Sequence, residues 1–231
     1  MPTSPITQET SLKNRPALRW ALLGVWGLVV LYTVMVLGAV LSPQFMNFQN
    51  ASMTRILLGL PGLIQTIIDY GVDLLLMFGF SIIAVVLIIH RSDDWFAIFT
   101  SLFLIVFGVR ITNLANLIAI TPGYEMSGGL ILALGDIGVV LFSMLFPDGK
   151  FVPRWLKFIA PLLIITMLGI YIFPASPFFW NTMGRSGYLW ATTTWYVFGL
   201  LTSVYRYFRN STLAQKQQIR WAFIGTMGPF L

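Results

Sequence analysis

Residues 63–89 read LIQTIIDYGVDLLLMFGFSIIAVVLII and contain two charged residues, Asp69 and Asp73. A helix needs about 20 apolar residues to cross ~30 Å of hydrocarbon, and this stretch is longer than that. Similar stretches occupy residues 20–41, 95–118, 126–146, 155–173 and 187–207, and a seventh begins at Trp221. The sequence therefore predicts an all-α, polytopic transmembrane helix bundle with six complete spans and a truncated seventh.

Composition supports a membrane protein. The chain is 57% hydrophobic and 10% charged, whereas soluble domains carry about 25% charged residues. The net charge of +6 is spread beside the apolar segments instead of forming one patch, which argues against binding of nucleic acid. The lipid bilayer is the expected partner.

Residue types exclude several chemistries. The chain has no cysteine and a single histidine, His90, so disulfides, thiolate zinc sites and multi-histidine metal sites are excluded. The Gly-x-Ser-x-Gly, P-loop and dinucleotide-binding patterns are absent. Asp93 and Asp94 form a weak metal candidate without further ligands nearby. We expect no enzymatic activity and no cofactor.

Basic residues predict the orientation. With a cytoplasmic N-terminus, the outer side holds three of the 14 cations, Arg55, Arg110 and Arg185. The inner side holds the other eleven, which are Lys13, Arg15, Arg19, Arg91, Lys150, Arg154, Lys157, Arg206, Arg209, Lys216 and Arg220. Short basic loops resist translocation, so the N-terminus is predicted to be cytoplasmic. The expected location is the cell inner (plasma) membrane, as a multi-pass protein.

The predicted domain plan is a cytoplasmic tail, residues 1–19, followed by a transmembrane helical domain, residues 20–231. Residues 1–14 are polar and are expected to be disordered. The longest connection is the first outer loop, residues 42–62, which begins with Ser42-Pro43. Its apolar piece, residues 56–60, is too short to span and would lie in the interface or dip back into the bilayer.

A polar cluster is predicted near the outer ends of the second and third spans. Asp73 lies about 25 Å above the inner face and Arg110 about 22 Å, at 1.5 Å per residue. The short connection between the spans makes them antiparallel neighbours, so these two can pair. Asp69 lies one helical turn above Asp73 on the second span. Asn113 lies three residues after Arg110, on the same face of the third span. The pair is interpreted as structural; a ligand or ion site, and snorkelling without a partner, are the alternatives.

Asp136 lies about 15 Å from the inner end of the fourth span, near the midplane. Hydroxyl partners are available on the sixth span, which carries Thr192, Thr193, Thr194 and Tyr196. The main interpretation is a polar contact between helices, and the alternative is a proton relay.

Small residues are frequent on the fourth span. Gly129 and Ala133 have the small-xxx-small spacing that lets helix backbones approach closely. Packing within the chain is the main interpretation, and a homodimer contact is the alternative.

Two inner segments carry a family resemblance. Residues 145–155 read LFPDGKFVPRW, including Pro147, Asp148, Gly149, Arg154 and Trp155. Residues 205–211 read YRYFRNS, and residues 217–221 read QQIRW. In order and spacing these segments resemble the inner loops of the multi-pass membrane regions that precede the kinase part of bacterial sensor histidine kinases. Residues 215–216 depart mildly from the usual basic spacing.

The resemblance implies a sensory input module in two-component signal transduction. The phospho-accepting histidine helix and the ATP-binding domain are absent from this sequence, so a kinase output would lie outside the chain, which is expected to be a fragment of a larger protein. The alternatives are a small transporter or channel subunit that uses the intramembrane carboxylates, and a structural or assembly subunit. The expected partners are a cytoplasmic output domain or protein and a second copy of the chain.

Overall fold

The computed structural model describes residues 10–58, 60–112, 118–119, 121–173, 180–209, 212–213, 215–218 and 220. For residues 39–58, 60–70, 180–182 and 185 it describes the backbone alone. The main elements are all α-helices, and no strand occurs within these ranges. They are α1 (Pro16–Leu58), α2 (Leu60–Arg91), α3 (Trp95–Arg110), α4 (Glu125–Leu145), α5 (Leu156–Tyr171) and α6 (Trp180–Arg209). The predicted all-α class is confirmed.

Three helical segments in the described ranges are long and apolar enough to cross a membrane, namely Pro16–Gly38, Gly71–Arg91 and Glu125–Leu145. Two further apolar helices, α3 and α5, have 16 residues each. At 1.5 Å per residue they are about 24 Å long, less than the ~30 Å of a hydrocarbon core. Residues 221–231, which carry the predicted seventh span, lie outside the described ranges.

Helix α1 differs from the prediction at its C-terminal end. It continues to Leu58, so most of the outer loop predicted over residues 42–62 is helical. The sequence predicted that the first span ends at Leu41, directly before Ser42-Pro43. Proline removes one backbone hydrogen bond and often kinks a helix without ending it.

Contacts divide the described part of the chain into two compact units, one within residues 11–135 and one formed by Thr10 and the described residues from Asp136 onward. In the first unit, α2 and α3 are antiparallel. Ser101 of α3 donates a hydrogen bond to the carbonyl of Ala84 at 2.8 Å, and Gly108 packs against Met77 and Phe80. The Trp26 indole of α1 donates to the same Ser101 hydroxyl at 3.0 Å. Ser101, fully buried, thus joins three helices.

The end of the predicted disordered tail is ordered. The backbone N–H of Leu12 donates to the Asp93 carbonyl at 2.6 Å, and Leu12 is buried. Arg19 donates to the Ser92 hydroxyl at 2.7 Å. The segment therefore packs on the turn between α2 and α3, because one apolar side chain and several backbone groups find partners there. Residues 1–9 lie outside the described ranges.

In the second unit, α4 and α6 run in the same direction. The α4 residues Asp136, Ser143 and Leu145 contact Tyr196, Ser203 and Arg206 of α6, respectively. The residue numbers increase in the same order on both helices, and the partners in each pair are 60 or 61 residues apart in the chain. Gly199 of α6 faces α4, since a Cβ there would lie 3.4 Å from Cβ of Ser143, within ordinary van der Waals contact. Within α6, Gly184 has φ 68° and ψ 171°, so the regular helix follows this residue.

Candidate functional site

Asp136 lies at the centre of a buried polar cluster on three helices. Its side chain is 0% exposed. Tyr171 at the end of α5 donates to Oδ2 at 2.5 Å, and Tyr196 of α6 donates to Oδ1 at 2.6 Å. The hydroxyl of Tyr188 lies 2.9 Å from that of Tyr171. Both carboxylate oxygens therefore accept a phenol hydrogen bond.

The direction of this chain of hydroxyls follows from counting protons. A phenol carries a single proton, and Tyr171 donates its proton to Asp136. With an ionised Asp136, Tyr188 is the donor to Tyr171. The rings of Tyr171 and Tyr188 also meet edge to face, with centroids 6.0 Å apart. The cluster can stabilise helix contacts, and its hydroxyls form a continuous hydrogen-bonded path that ends at a carboxylate.

The four hydroxyl residues that the sequence suggested as partners of Asp136 separate into two groups. Tyr196 contacts Asp136, whereas Thr192 and Thr194 donate to carbonyls of their own helix, and Thr193 is exposed. Sequence reasoning missed Tyr171 and Tyr188. A usable signal for Tyr188 existed, because Tyr188 and Tyr196 are eight residues apart and so lie on one face of a helix.

A second cluster joins the two segments that carry the family resemblance. Arg206, at 2% exposure, forms an ion pair with Asp148 in the loop after α4. Its other terminal nitrogen donates to the carbonyls of Leu145 at 3.1 Å and Lys150 at 3.0 Å. A planar guanidinium with five donors suits this arrangement of one carboxylate and several carbonyls. We name the contacts of Arg206 with Asp148 and this loop the inner clamp.

The loop around Asp148 is organised by the same carboxylate. The Lys150 N–H donates to Asp148 at 3.1 Å, and the side-chain amide of Gln215, beyond α6, lies 3.4 Å from the other oxygen. Gly149 has φ 72°, a left-handed conformation that favours glycine. The peptide bonds before Pro147 and Pro153 are cis. The motif thus forms a compact turn built on Asp148.

Other residues of this motif lie at the surface. Arg154 and Trp155 are exposed at the start of α5, and Pro147 is half-buried. From the sequence, Arg206 was assigned to the basic residues on the cytoplasmic side of the membrane. In the structure it is almost fully buried because its carboxylate and carbonyl partners come from a loop about 60 residues earlier, and local sequence carries no signal for that contact.

The predicted outer cluster is partly described. Asp73 in α2 and Arg110 at the end of α3 are both half-buried. The antiparallel register set by Ala84–Ser101 and Met77–Gly108 places them within about one helical turn of each other. Their pairing remains a prediction. The Asp69 side chain and Asn113 lie outside the described part of the structure.

Close backbone packing on α4 occurs at glycines beside the predicted pair. Gly129 and Ala133 are buried. The tightest approaches, however, are at Gly128 and Gly135. A Cβ at Gly128 would lie 2.3 Å from the backbone nitrogen of Ala119, and one at Gly135 would lie 2.6 Å from Cβ of Arg110.

The weak metal candidate has structural contacts. Asp94 caps α3 by accepting a hydrogen bond from the N–H of Phe96 at 2.9 Å. Asp93 forms an ion pair with Lys13 at 3.4 Å. Among the residues with described positions, no three His, Asp or Glu side chains group closely enough to hold a metal ion.

Comparisons with protein-family models, curated proteins and solved structures give no match to this chain.

Proposed function

We propose that this chain is the membrane-embedded input module of a bacterial signalling protein, without catalytic activity of its own. In this proposal it has six complete spans and a seventh at the chain end, lies in the inner membrane and starts in the cytoplasm. A histidine kinase or another cytoplasmic output domain would receive its signal.

The observation that carries the proposal is the inner clamp. The two segments that resemble the input regions of sensor kinases are about 60 residues apart, and Asp148 of the first contacts Arg206 and Gln215 of the second. A buried arginine that binds a loop through one carboxylate and several carbonyls joins the ends of α4 and α6. This joint lies where a signal would leave the membrane for a following domain.

The parallel helices α4 and α6 supply a route between the two clusters. Asp136–Tyr196 lies at one level and Arg206–Asp148 at another, with Ser143–Ser203 between them. On α6 the two levels are ten residues apart, or about 15 Å. A stimulus that binds one packing arrangement of α4 and α6 more tightly than the other would raise the population of that arrangement. The position of the segment after α6 would then change with it.

Two contacts support the proposed orientation. In the first unit the segment before α1 packs on the turn between α2 and α3. In the second unit the loop after α4 contacts Arg206 and Gln215. Each contact joins two segments that the distribution of basic residues assigns to the cytoplasmic side.

A fusion experiment tests the proposal. The cytoplasmic part of a sensor kinase is joined after Arg220, and autophosphorylation is measured in membrane vesicles. Asp136→Asn and Arg206→Gln are expected to change the rate severalfold, while Thr194→Val, at an exposed site on α6, leaves it unchanged. Equal rates in all four proteins would contradict an input role. DNA downstream of codon 231 that encodes no related output domain would also remove much of the support.

A second candidate function rests on the Asp136 cluster. A fully buried carboxylate joined to the hydroxyls of Tyr171 and Tyr188 also suits a transporter that moves protons or ions. In proteoliposomes this alternative expects Asp136→Asn to abolish flux driven by a proton gradient, with Thr194→Val as control. Absence of flux in the unchanged chain would reject the alternative and leave the input role intact.

A further inference from the structure

A groove lies beside the inner clamp, at the turn that leads into α5. It has a volume of about 730 Å³ and is lined by Lys150, Arg154 and Lys157 together with Gly149 and residues 151–153. This volume falls within the range of about 300–1,000 Å³ that is typical of small-molecule sites. The three cationic side chains are all exposed at its surface.

The residues that line the groove include three cationic side chains and no acidic one. Asp148, the carboxylate of the same loop, pairs with the buried Arg206. Lining residues are basic or neutral, so the groove attracts an anion. Arg206 also binds the carbonyl of Lys150 at 3.0 Å, which holds the backbone of the groove in place.

An apolar surface continues directly from the groove. Trp155 is 51% exposed and Phe158 is 72% exposed, and the ammonium of Lys157 lies over the Phe158 ring at 4.8 Å. Phe158, Leu162 and Ile165 are spaced at i, i+4 and i+7, which places them on one face of α5. All three are exposed, with Ile165 at 67%. Cations next to a tryptophan and an apolar helix face are typical of a membrane–water interface.

We propose that this groove binds the phosphate-bearing headgroup of an anionic phospholipid, whose acyl chain lies along the Phe158–Leu162–Ile165 face of α5. The chemistry that the cations recognise is a phosphate ester, and the adjoining apolar face selects a lipid over a free phosphate ion. The site is separate from the Asp136 cluster, and it does not depend on a signalling role.

Lipid binding to the full chain tests the proposal. Phosphatidylglycerol or phosphatidylcholine is titrated into the protein in neutral detergent, and bound lipid is counted by native mass spectrometry. We expect phosphatidylglycerol to bind at least tenfold more tightly. Each cation contributes about fivefold, so the variant K150Q/R154Q/K157Q should bind roughly a hundredfold more weakly. Equal binding of the two lipids, or unchanged binding by the variant, would overturn the proposal.

Three controls separate the alternatives. The variant R91Q/R209Q/R220Q removes the same charge at exposed positions outside the groove and should keep binding within about threefold; an equal loss would mean attraction by net charge alone. F158A/I165A should weaken phosphatidylglycerol severalfold. Full displacement of the lipid by inorganic phosphate, with no effect of F158A/I165A, would assign the groove to a free anion and overturn the lipid proposal.

Folding of the variants is checked by circular dichroism. Should the triple variant lose helix, the single variants Lys150→Gln, Arg154→Gln and Lys157→Gln carry the test, each with an expected loss of about fivefold. The charge-retaining variant K150R/R154K/K157R should bind as the unchanged chain does. A single-variant series without any loss would contradict the proposal.

Discussion

The hydroxyl of Ser203 donates a hydrogen bond to the backbone carbonyl of Ser143 at 2.9 Å, seven residues after the Asp136–Tyr196 contact on both helices. Equal steps on two helices are possible only if the helices run in the same direction. Helices α4 and α6 therefore form a parallel pair, with the antiparallel α5 between them in the chain. This pairing connects Asp136 and the inner clamp by two continuous helices.

Asp136→Asn should destabilise the protein. The carboxylate accepts from both Tyr171 and Tyr196, whereas an amide has one acceptor oxygen and presents an N–H₂ donor on its other side. One phenol must then turn its proton away inside an apolar region, at a cost of about 1–3 kcal/mol. Loss of helix in mixed-micelle denaturation measures the change. Thr194→Val, exposed on α6, is the control, and equal stability of both variants would contradict the central role of Asp136.

Arg206→Gln should have the largest effect of the substitutions considered. It leaves Asp148 without its guanidinium partner and removes donors from the carbonyls of Leu145 and Lys150. Breaking a buried pair on one side costs about 3–5 kcal/mol. Arg206→Lys should recover only part of the stability, because an ammonium lacks the planar fork.

The matched control for Arg206 is Arg209→Gln, one turn further along α6 and exposed, with an expected change below about 1 kcal/mol. A double-mutant cycle with Asp148→Asn measures the coupling between Arg206 and Asp148. Additive losses in that cycle would show that the two side chains do not act as a pair.

Gly128→Ala should destabilise α4 packing, and Gly79→Ala should not. A Cβ at Gly128 would lie 2.3 Å from the backbone of Ala119, so the chain must move to make room. We expect a loss of about 1–3 kcal/mol. At Gly79 of α2 nothing lies within 4 Å of an added Cβ, and alanine favours a helix by about 0.5–1 kcal/mol over glycine. Thermal unfolding in detergent measures both, and similar midpoints would contradict the close approach.

The predicted pair of Asp73 and Arg110 is open to a charge-swap test. We expect Asp73→Arg and Arg110→Asp each to lower stability, because each places two like charges within about one helical turn in a half-buried region. The double swap should restore most of the loss. Yield of folded protein and its thermal midpoint measure the outcome, and a double variant as unstable as the single ones would show that the two side chains do not pair.

Helix positions followed well from apolar length. The span predicted over residues 126–146 is the helix Glu125–Leu145, and the span predicted over 155–173 is Leu156–Tyr171. The end of the first helix was not predicted, because α1 continues through Pro43 to Leu58. Within α6, Gly184 interrupts the helical conformation with a positive φ.

The candidate site was predicted in part. Asp136 is recognisable because a carboxylate within an apolar segment requires polar partners, and Tyr196 was among those considered. The contact between Asp148 and Arg206 was not predicted. Their charges are individually ordinary for an inner loop, and Lys150 and Arg154 look the same in sequence although they remain exposed.

The amino-acid sequence by itself determined the helical elements of this protein, because apolar length and scarcity of charge act locally along the chain and favour long apolar helices. The tertiary structure alone decided the partners of each polar group. The parallel pairing of α4 and α6, the tyrosines around Asp136 and the burial of Arg206 depend on residues up to about 60 positions apart, and such contacts form only when packing brings distant segments together.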